Sequence, residues 1–217
     1  MISQCVQIAC HKHGCCVMQK CIDGAEYAQK MSLMMEIARH TLTFVKNPYG
    51  NYVVQYVLEL KHIEVNKKIG EQLLKNLLQL GREKFSSNVI EKCLEHNSLE
   101  VKEAMVLEIL SADSFYDFLL DQYGNYVIQK SLSVAQEPNF TLFIEKLRPD
   151  MERLKYSNEF GVKIYNRLVK QYPQLATSDK SAKSGGGGGG FLNSSKKAGK
   201  GETSKPVSSS IGNSRMN

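Results

Sequence analysis

The sequence predicts an all-α solenoid, a stack of short helical repeats. Three observations lead to this prediction: a five-residue motif returns at an almost constant interval, amphipathic helical patterns precede its later copies, and each interval is short. A unit of about 36 residues holds two or three helices and cannot cover its own apolar face. Stacked neighbours can cover it, so equivalent helices should line up along one face.

The motif occurs five times along the first 165 residues: CCVMQ at 15, NYVVQ at 51, SNVIE at 87, NYVIQ at 125 and GVKIY at 161. Successive copies are 36, 36, 38 and 36 residues apart. From the second copy on, each follows a stretch with apolar residues three and four apart, such as EQLLKNLLQLGREKF, which is typical of helices. Asn47 with Pro48, and later Asp121, are suited to cap the motif helices.

Composition excludes several classes of protein. No apolar run approaches the ~18 residues that a membrane span requires. The net charge is +6, but the stretch from Ala176 onward holds seven basic and two acidic residues and leaves 21 basic and 20 acidic residues upstream. Bulk charge therefore gives no reason to expect nucleic-acid binding by the folded part. Five of the six cysteines lie in the first 21 residues, which predicts reduced thiols in a cytoplasmic protein.

The motif helix must serve two faces. With about 100° per residue, Tyr52 and Gln55 lie about 100° and about 40° from Asn51, while Val53 lies on the opposite flank. We therefore expect Asn51, Tyr52 and Gln55 to face outward together. Two amides can bond the edge of a flat ring, and the tyrosine offers a surface for stacking. A row of such slots suits the splayed bases of single-stranded nucleic acid.

The strings GNYVVQ, SSNVIEKCLEH and GNYVIQK, in this order and at this period, resemble the Pumilio (PUF) repeat family. The resemblance covers about residues 1–175. It implies a right-handed α-solenoid of about four three-helix repeats, equivalent to the last four of the family's usual eight, and a C-terminal capping unit near 161. Residues 176–217, rich in Gly, Ser and Lys, are predicted to form a disordered tail.

In that family the first and fifth motif positions recognise a base edge, the second position stacks on the base, and RNA runs antiparallel to the repeats. The resemblance implies edge pairs Asn125–Gln129 and Asn51–Gln55 for uracil, Ser87–Glu91 for guanine and Cys15–Gln19 for adenine. The implied stacking residues are Tyr126, Asn88, Tyr52 and Cys16. The target would be 5′-UGUA. No base is assigned to Gly161 and Tyr165, which do not form an edge pair.

The implied function is recognition of UGUA elements in mRNA 3′ untranslated regions and post-transcriptional repression. Deadenylase, decay and translational repressor proteins would be the partners, and neither catalysis nor a cofactor is expected. Lys20, Lys92 and Lys130 directly follow their motifs and are candidates for phosphate contacts.

The sequence also contains features of functions other than RNA binding. The cluster CHKHGCC has the residue types of a zinc site, but adjacent Cys15 and Cys16 diverge on a helix and no second ligand cluster follows. A Cys–His enzyme would need an orienting group that the sequence does not show. A protein-binding helical scaffold is the main alternative. The recurrence of one polar triplet in register argues against it.

Overall fold

The computed structural model describes residues 4–176, and every regular element there is helical. The helices are α1 Cys5–Ala9, α2 Gly14–Gly24, α3 Tyr27–Arg39, α4 Thr41–Val45, α5 Gly50–Glu59, α6 Ile63–Leu73, α7 Leu77–Gly81, α8 Ser86–His96, α9 Leu99–Leu110, α10 Phe115–Leu119, α11 Gly124–Val134, α12 Asn139–Lys155 and α13 Glu159–Gln171. A 3₁₀ turn, Pro173–Leu175, follows. The predicted tail lies outside the described residues, except for Ala176. Over residues 4–176, no helix is both long and apolar enough to cross a membrane.

Within residues 4–176, one order of helices occurs four times: a helix of five residues, a motif helix of 10 or 11 residues, and a longer outer helix. The first motif position is the second residue of α2, α5, α8 and α11, at Cys15, Asn51, Ser87 and Asn125. The fifth copy falls on α13, which forms the last unit with the 3₁₀ turn. The periodic motif therefore predicted the helical repeat correctly.

Equivalent helices of successive repeats pack side by side. The motif helices α2, α5, α8 and α11 form one row, in which each contacts the next, and the outer helices α3, α6, α9 and α12 form a second row. Each five-residue helix packs on the motif helix that follows it. The apolar core lies between these elements, so one flank of every motif helix must be apolar while residues on another flank reach the surface.

The start of the motif helix is held by a polar side chain in the preceding turn. Asn47 Oδ1 accepts hydrogen bonds from the backbone N–H groups of Tyr49 at 2.8 Å and Gly50 at 2.9 Å. Asp121 Oδ1 accepts the equivalent bonds from Tyr123 and Gly124, both at 2.8 Å. The predicted capping contacts are present, although regular helix begins three residues later, at Gly50 and Gly124.

The third motif position shows how neighbouring repeats cover one another. Val53, Val89 and Val127 are fully buried, whereas the equivalent Val17 of the first repeat is 52% exposed. Val53→Ala should therefore lower the free energy of unfolding by about 2 kcal/mol, because it removes two methyl groups from a packed interior. Val17→Ala is the matched control and should change it by less than about 0.5 kcal/mol. Urea denaturation of both variants measures the difference, and equal losses would contradict the packing described here.

Candidate functional site

The two Asn–Gln pairs adopt the same arrangement on two different motif helices. On α5, Gln55 Nε2 donates to Asn51 Oδ1 at 2.9 Å, and Asn51 Nδ2 donates to the Asn47 carbonyl oxygen at 2.8 Å. On α11, Gln129 Nε2 donates to Asn125 Oδ1 at 3.0 Å and also to the Asn125 carbonyl oxygen at 3.1 Å. The asparagine thus fixes the glutamine amide. Its carbonyl oxygen, together with the second N–H at Gln55, can be offered to a ligand.

The first position of each pair is not on the surface, contrary to the prediction that the amides and the tyrosine face outward together. Asn51 and Asn125 are 1% exposed, and Ser87 and Cys15 are also buried. Helical angles alone could not reveal this, because the side chain at the second residue of the helix folds back onto the turn before it. Asn125 Nδ2, for instance, donates to the Asp121 carbonyl oxygen at 2.8 Å.

The second and fifth positions do reach the surface. Tyr52 is 52% and Tyr126 is 45% exposed, while Gln55 and Gln129 are partly buried. Each motif helix with an Asn–Gln pair therefore presents an exposed tyrosine ring beside a glutamine amide that a buried asparagine orients. In this arrangement the first residue supports the glutamine and is not a second exposed amide.

Helix α8 carries the acidic variant of the motif. Ser87 Oγ donates to the Lys84 carbonyl oxygen at 3.3 Å, and the exposed Asn88 donates to the same oxygen at 3.1 Å. Glu91 is partly buried. Burial raises the pKa of Glu91, the positive charge of Lys130 acts to lower it, and the charge of Glu95 raises it further, so that the net direction is upward. A carboxylate in this position can only accept hydrogen bonds, which suits a ligand edge made of N–H donors.

Glu91→Gln should raise the free energy of unfolding at pH 7. Because the folded-state pKa of Glu91 is raised, the folded protein binds a proton more tightly than the unfolded chain, so stability falls as pH rises above the ordinary glutamate pKa. Because the glutamine side chain does not ionise, Glu91→Gln removes this loss of stability at higher pH. Urea denaturation at pH 5 and pH 7 measures it. The control is Glu95→Gln, since desolvation acts to raise the pKa of Glu95 but Lys130 and His96 hold it low, and this variant should lose stability at pH 7. A destabilised Glu91→Gln protein would contradict the argument.

Helix α2 has thiols in place of the amide and the ring. Cys15 Sγ donates to the Lys12 carbonyl oxygen at 3.3 Å and lies 4.0 Å from Cys16 Sγ. Burial, with the hydrogen bond to Cys16, raises the pKa of Cys15, which keeps its thiol neutral. Cys16 is exposed and Gln19 is partly buried. All six cysteines are free. Among residues 4–176, no three His, Cys, Asp or Glu side chains are grouped so that they could hold a metal ion.

The sixth motif position makes contacts between repeats that sequence reasoning missed. Lys92 Nζ lies 2.6 Å from Glu59 Oε1, and Lys130 Nζ lies 3.6 Å from Glu95 Oε2. In the same register Tyr56 donates a hydrogen bond to Asp23, which raises the pKa of Tyr56 to about 12. The carboxylate at the ninth position of one motif helix thus binds the sixth position of the next. Lys92 and Lys130 are therefore paired with protein carboxylates instead of being free for phosphates. In the sequence, only the recurring acidic residue at the ninth motif position could have indicated these ion pairs.

Side chains of three successive motif helices share one surface. An open cleft crosses the middle of the row of motif helices, and its lining comes from α5, α8 and α11: Gln55, Asn88, Glu91, Lys92, Glu95 and Lys130. The lining joins fifth-position residues of two successive motif helices, together with a second-position residue. The cleft thus brings hydrogen-bonding groups of three successive motif helices to one surface.

Comparison with known proteins agrees with this geometry. A family model described as the Pumilio-family RNA binding repeat matches residues 4–38, 40–60, 76–110 and 114–148. The chain is 37% identical over 167 residues to Pumilio homolog 12 of Arabidopsis thaliana, which is 77% of this chain and 28% of that protein. It spans about a quarter to a third of the length of the first curated relatives that it matches.

Solved structures show the same fold. The crystal structure of PUF-8 in complex with PBE-RNA superposes with a TM-score of 0.71 and 28% identity, over 79% of this chain and 51% of that one. The Puf4 RNA binding domain bound to the HO endonuclease RNA 3′ UTR recognition sequence gives a TM-score of 0.66 and 32% identity, over 76% and 54%. The all-α solenoid prediction is confirmed, and the chain belongs to the Pumilio (PUF) family, whose members are RNA-binding repeat proteins and not enzymes.

Proposed function

We propose that this chain binds single-stranded RNA containing 5′-UGUA, as found in mRNA 3′ untranslated regions, and represses the messages that carry it. The observation that supports this most directly is the repeated slot. At equivalent places on α5 and α11, a buried asparagine orients a glutamine amide beside an exposed tyrosine ring. The helix between them substitutes a carboxylate, Glu91, for the amide.

The chemistry of each slot matches one base. A glutamine amide, which carries N–H donors and a carbonyl oxygen, complements uracil, whose edge carries an acceptor next to an N–H donor. The Glu91 carboxylate complements guanine, which presents two adjacent donors, the ring N–H and the amino group. At α2 we assign adenine to Cys15 and Gln19, with Cys16 on the base face. With the strand antiparallel to the repeats, α11 binds the first base and α2 the fourth.

Repression would follow from recruitment and not from chemistry. Since the family consists of RNA-binding proteins that are not enzymes, we propose that the bound chain attracts deadenylase, decay or translational repressor proteins to the message in the cytoplasm. Two of the solved relatives are named as bound to RNA 3′ UTR recognition sequences, which is the class of site proposed here.

Binding of short RNA tests the proposal against the scaffold alternative. A gel shift at moderate salt should show that an oligonucleotide containing UGUA binds more tightly than a scrambled oligonucleotide of the same composition. Equal binding of the two, or no binding of either, would reject sequence-specific recognition and favour a helical scaffold that binds protein.

Tyr126→Ala should weaken binding of the UGUA oligonucleotide by about 1–3 kcal/mol, the usual contribution of one aromatic ring stacked on a base. Tyr156→Ala is the matched control, because Tyr156 is 69% exposed but lies at the end of the outer helix α12. Fluorescence anisotropy with labelled RNA measures both. An unchanged affinity in Tyr126→Ala, or an equal loss in the control, would remove Tyr126 from the binding surface.

A further inference from the structure

The capping helix α13 places an arginine on the tyrosine of the last motif helix. The Cζ atom of Arg167 lies 5.1 Å from the centroid of the Tyr126 ring, a cation–π contact. Both side chains are exposed. Arg167, on α13, therefore lies against Tyr126 on α11, the last of the four motif helices that form the row.

The charge of Arg167 is available, unlike that of the neighbouring lysines. Lys92 and Lys130 each lie beside a carboxylate of the preceding motif helix. Among residues 4–176, no carboxylate lies within ion-pair distance of Arg167. Arg153 provides the contrast, since its guanidinium also lies over a tyrosine, Tyr116, at 3.5 Å but is paired with Asp150 at 2.8 Å. The Tyr126 ring thus contacts a guanidinium that is within ion-pair distance of no carboxylate in the described part of the chain.

We propose that Arg167 binds the phosphate immediately 5′ of the uracil recognised by Asn125 and Gln129. This inference rests on the proposed function, which places the 5′ end of the UGUA core at α11. With this polarity the RNA strand extends beyond the row of motif helices at Tyr126, beside the Arg167 guanidinium. A planar guanidinium can donate two parallel hydrogen bonds to a phosphate, and contact with the ring limits the freedom that it would lose on binding. Arg167 would therefore anchor the RNA backbone and fix its register at the first slot.

A single neutral linkage in the RNA tests the contact. Dissociation constants are measured for two RNAs with an upstream nucleotide before UGUA: one has a normal phosphodiester 5′ of the first uridine and the other a methylphosphonate there. The unaltered protein should bind the methylphosphonate RNA about tenfold more weakly, because a charge-assisted hydrogen bond is lost. Arg167→Gln should bind both RNAs equally, at the weaker affinity. For Arg167→Gln, the slope of log affinity against log salt concentration should also be shallower by about 0.7.

Two further variants test whether RNA binding depends on the position of Arg167 or only on its positive charge. Arg153→Gln removes the same charge from the outer helix α12 and should keep the full tenfold difference between the two RNAs. Arg167→Lys should recover part of the difference, because an ammonium retains the charge but not the paired donors. A full methylphosphonate penalty in Arg167→Gln, or its loss in Arg153→Gln, would overturn the assignment of Arg167 while leaving UGUA recognition intact. If the unaltered protein does not distinguish UGUA from scrambled RNA, the proposed function fails together with this contact.

Discussion

Ser87→Asn combined with Glu91→Gln should change the base preferred at the second position from guanine to uracil. The double variant gives α8 the edge pair that α5 and α11 already carry. A well-formed pair of hydrogen bonds to a base edge discriminates by about 1–3 kcal/mol. Losing the guanine contact and gaining the uracil contact should therefore shift the relative affinity for UGUA and UUUA by about 2–6 kcal/mol.

The structure offers a hydrogen-bond partner for the new asparagine. Ser87 is the second residue of α8, as Asn51 is of α5, and both are buried. The backbone N–H of Ser87 donates to the Glu83 carbonyl oxygen at 3.1 Å, as that of Asn51 donates to Asn47 at 3.3 Å. An asparagine at 87 can thus bond the carbonyl oxygen four residues earlier and hold the new glutamine, as in the other two slots.

Fluorescence anisotropy with UGUA and UUUA oligonucleotides measures this change of specificity. The reciprocal variant, Asn51→Ser with Gln55→Glu, is the matched control. It should create a preference for guanine at the third base. Glu91→Gln alone should weaken guanine recognition without creating the full uracil preference, because its amide would lack the orienting asparagine. If the double variant still prefers UGUA to UUUA, the assignment of Ser87 and Glu91 is wrong.

The sequence was sufficient for the helical repeat because the repeat depends on periodicity. The valine at the third motif position is buried in three successive repeats, at Val53, Val89 and Val127. A fixed register then places the neighbouring residues on a common surface. Since the second and fifth positions belong to the same short helix as this apolar anchor, their exposure followed from helical geometry alone, as Tyr52 and Tyr126 show.

What the sequence did not reveal depends on contacts between separate elements. The burial of Asn51 arises from the turn at Asn47, which helical angles within one element do not describe. The pairing of Lys92 with Glu59 depends on how one motif helix is offset against the next. The contact of Arg167 with Tyr126 depends on how the last helix closes the stack. In each case the partners are known only once the packing of neighbouring elements is known.

Phe118→Ala should lower the free energy of unfolding by about 3–5 kcal/mol and should also weaken recognition of the first base. Phe118 is fully buried on the short helix α10. Its ring fills the space beside two glycines: a Cβ atom added at Gly124 would lie 2.6 Å from Phe118 Cδ2, and one added at Gly81 would lie 2.6 Å from Cζ. Truncation would leave a cavity between α7 and the start of α11, with the cost typical of a buried phenylalanine.

The effect on RNA follows from where that cavity would lie. Gly124 immediately precedes Asn125, the residue that orients Gln129, so loss of the supporting ring should loosen the first slot more than the third. Urea denaturation measures the stability, and anisotropy below the unfolding transition compares mismatches at the first and third uracils. Phe160→Ala, at a residue that is 39% exposed on α13, is the control and should cost less than about 1 kcal/mol. A Phe118→Ala protein that loses less than about 1 kcal/mol, or that weakens both uracil slots equally, would show that Phe118 does not anchor the start of α11, and the support of Asn125 would then have to come from the turn at Asp121 alone.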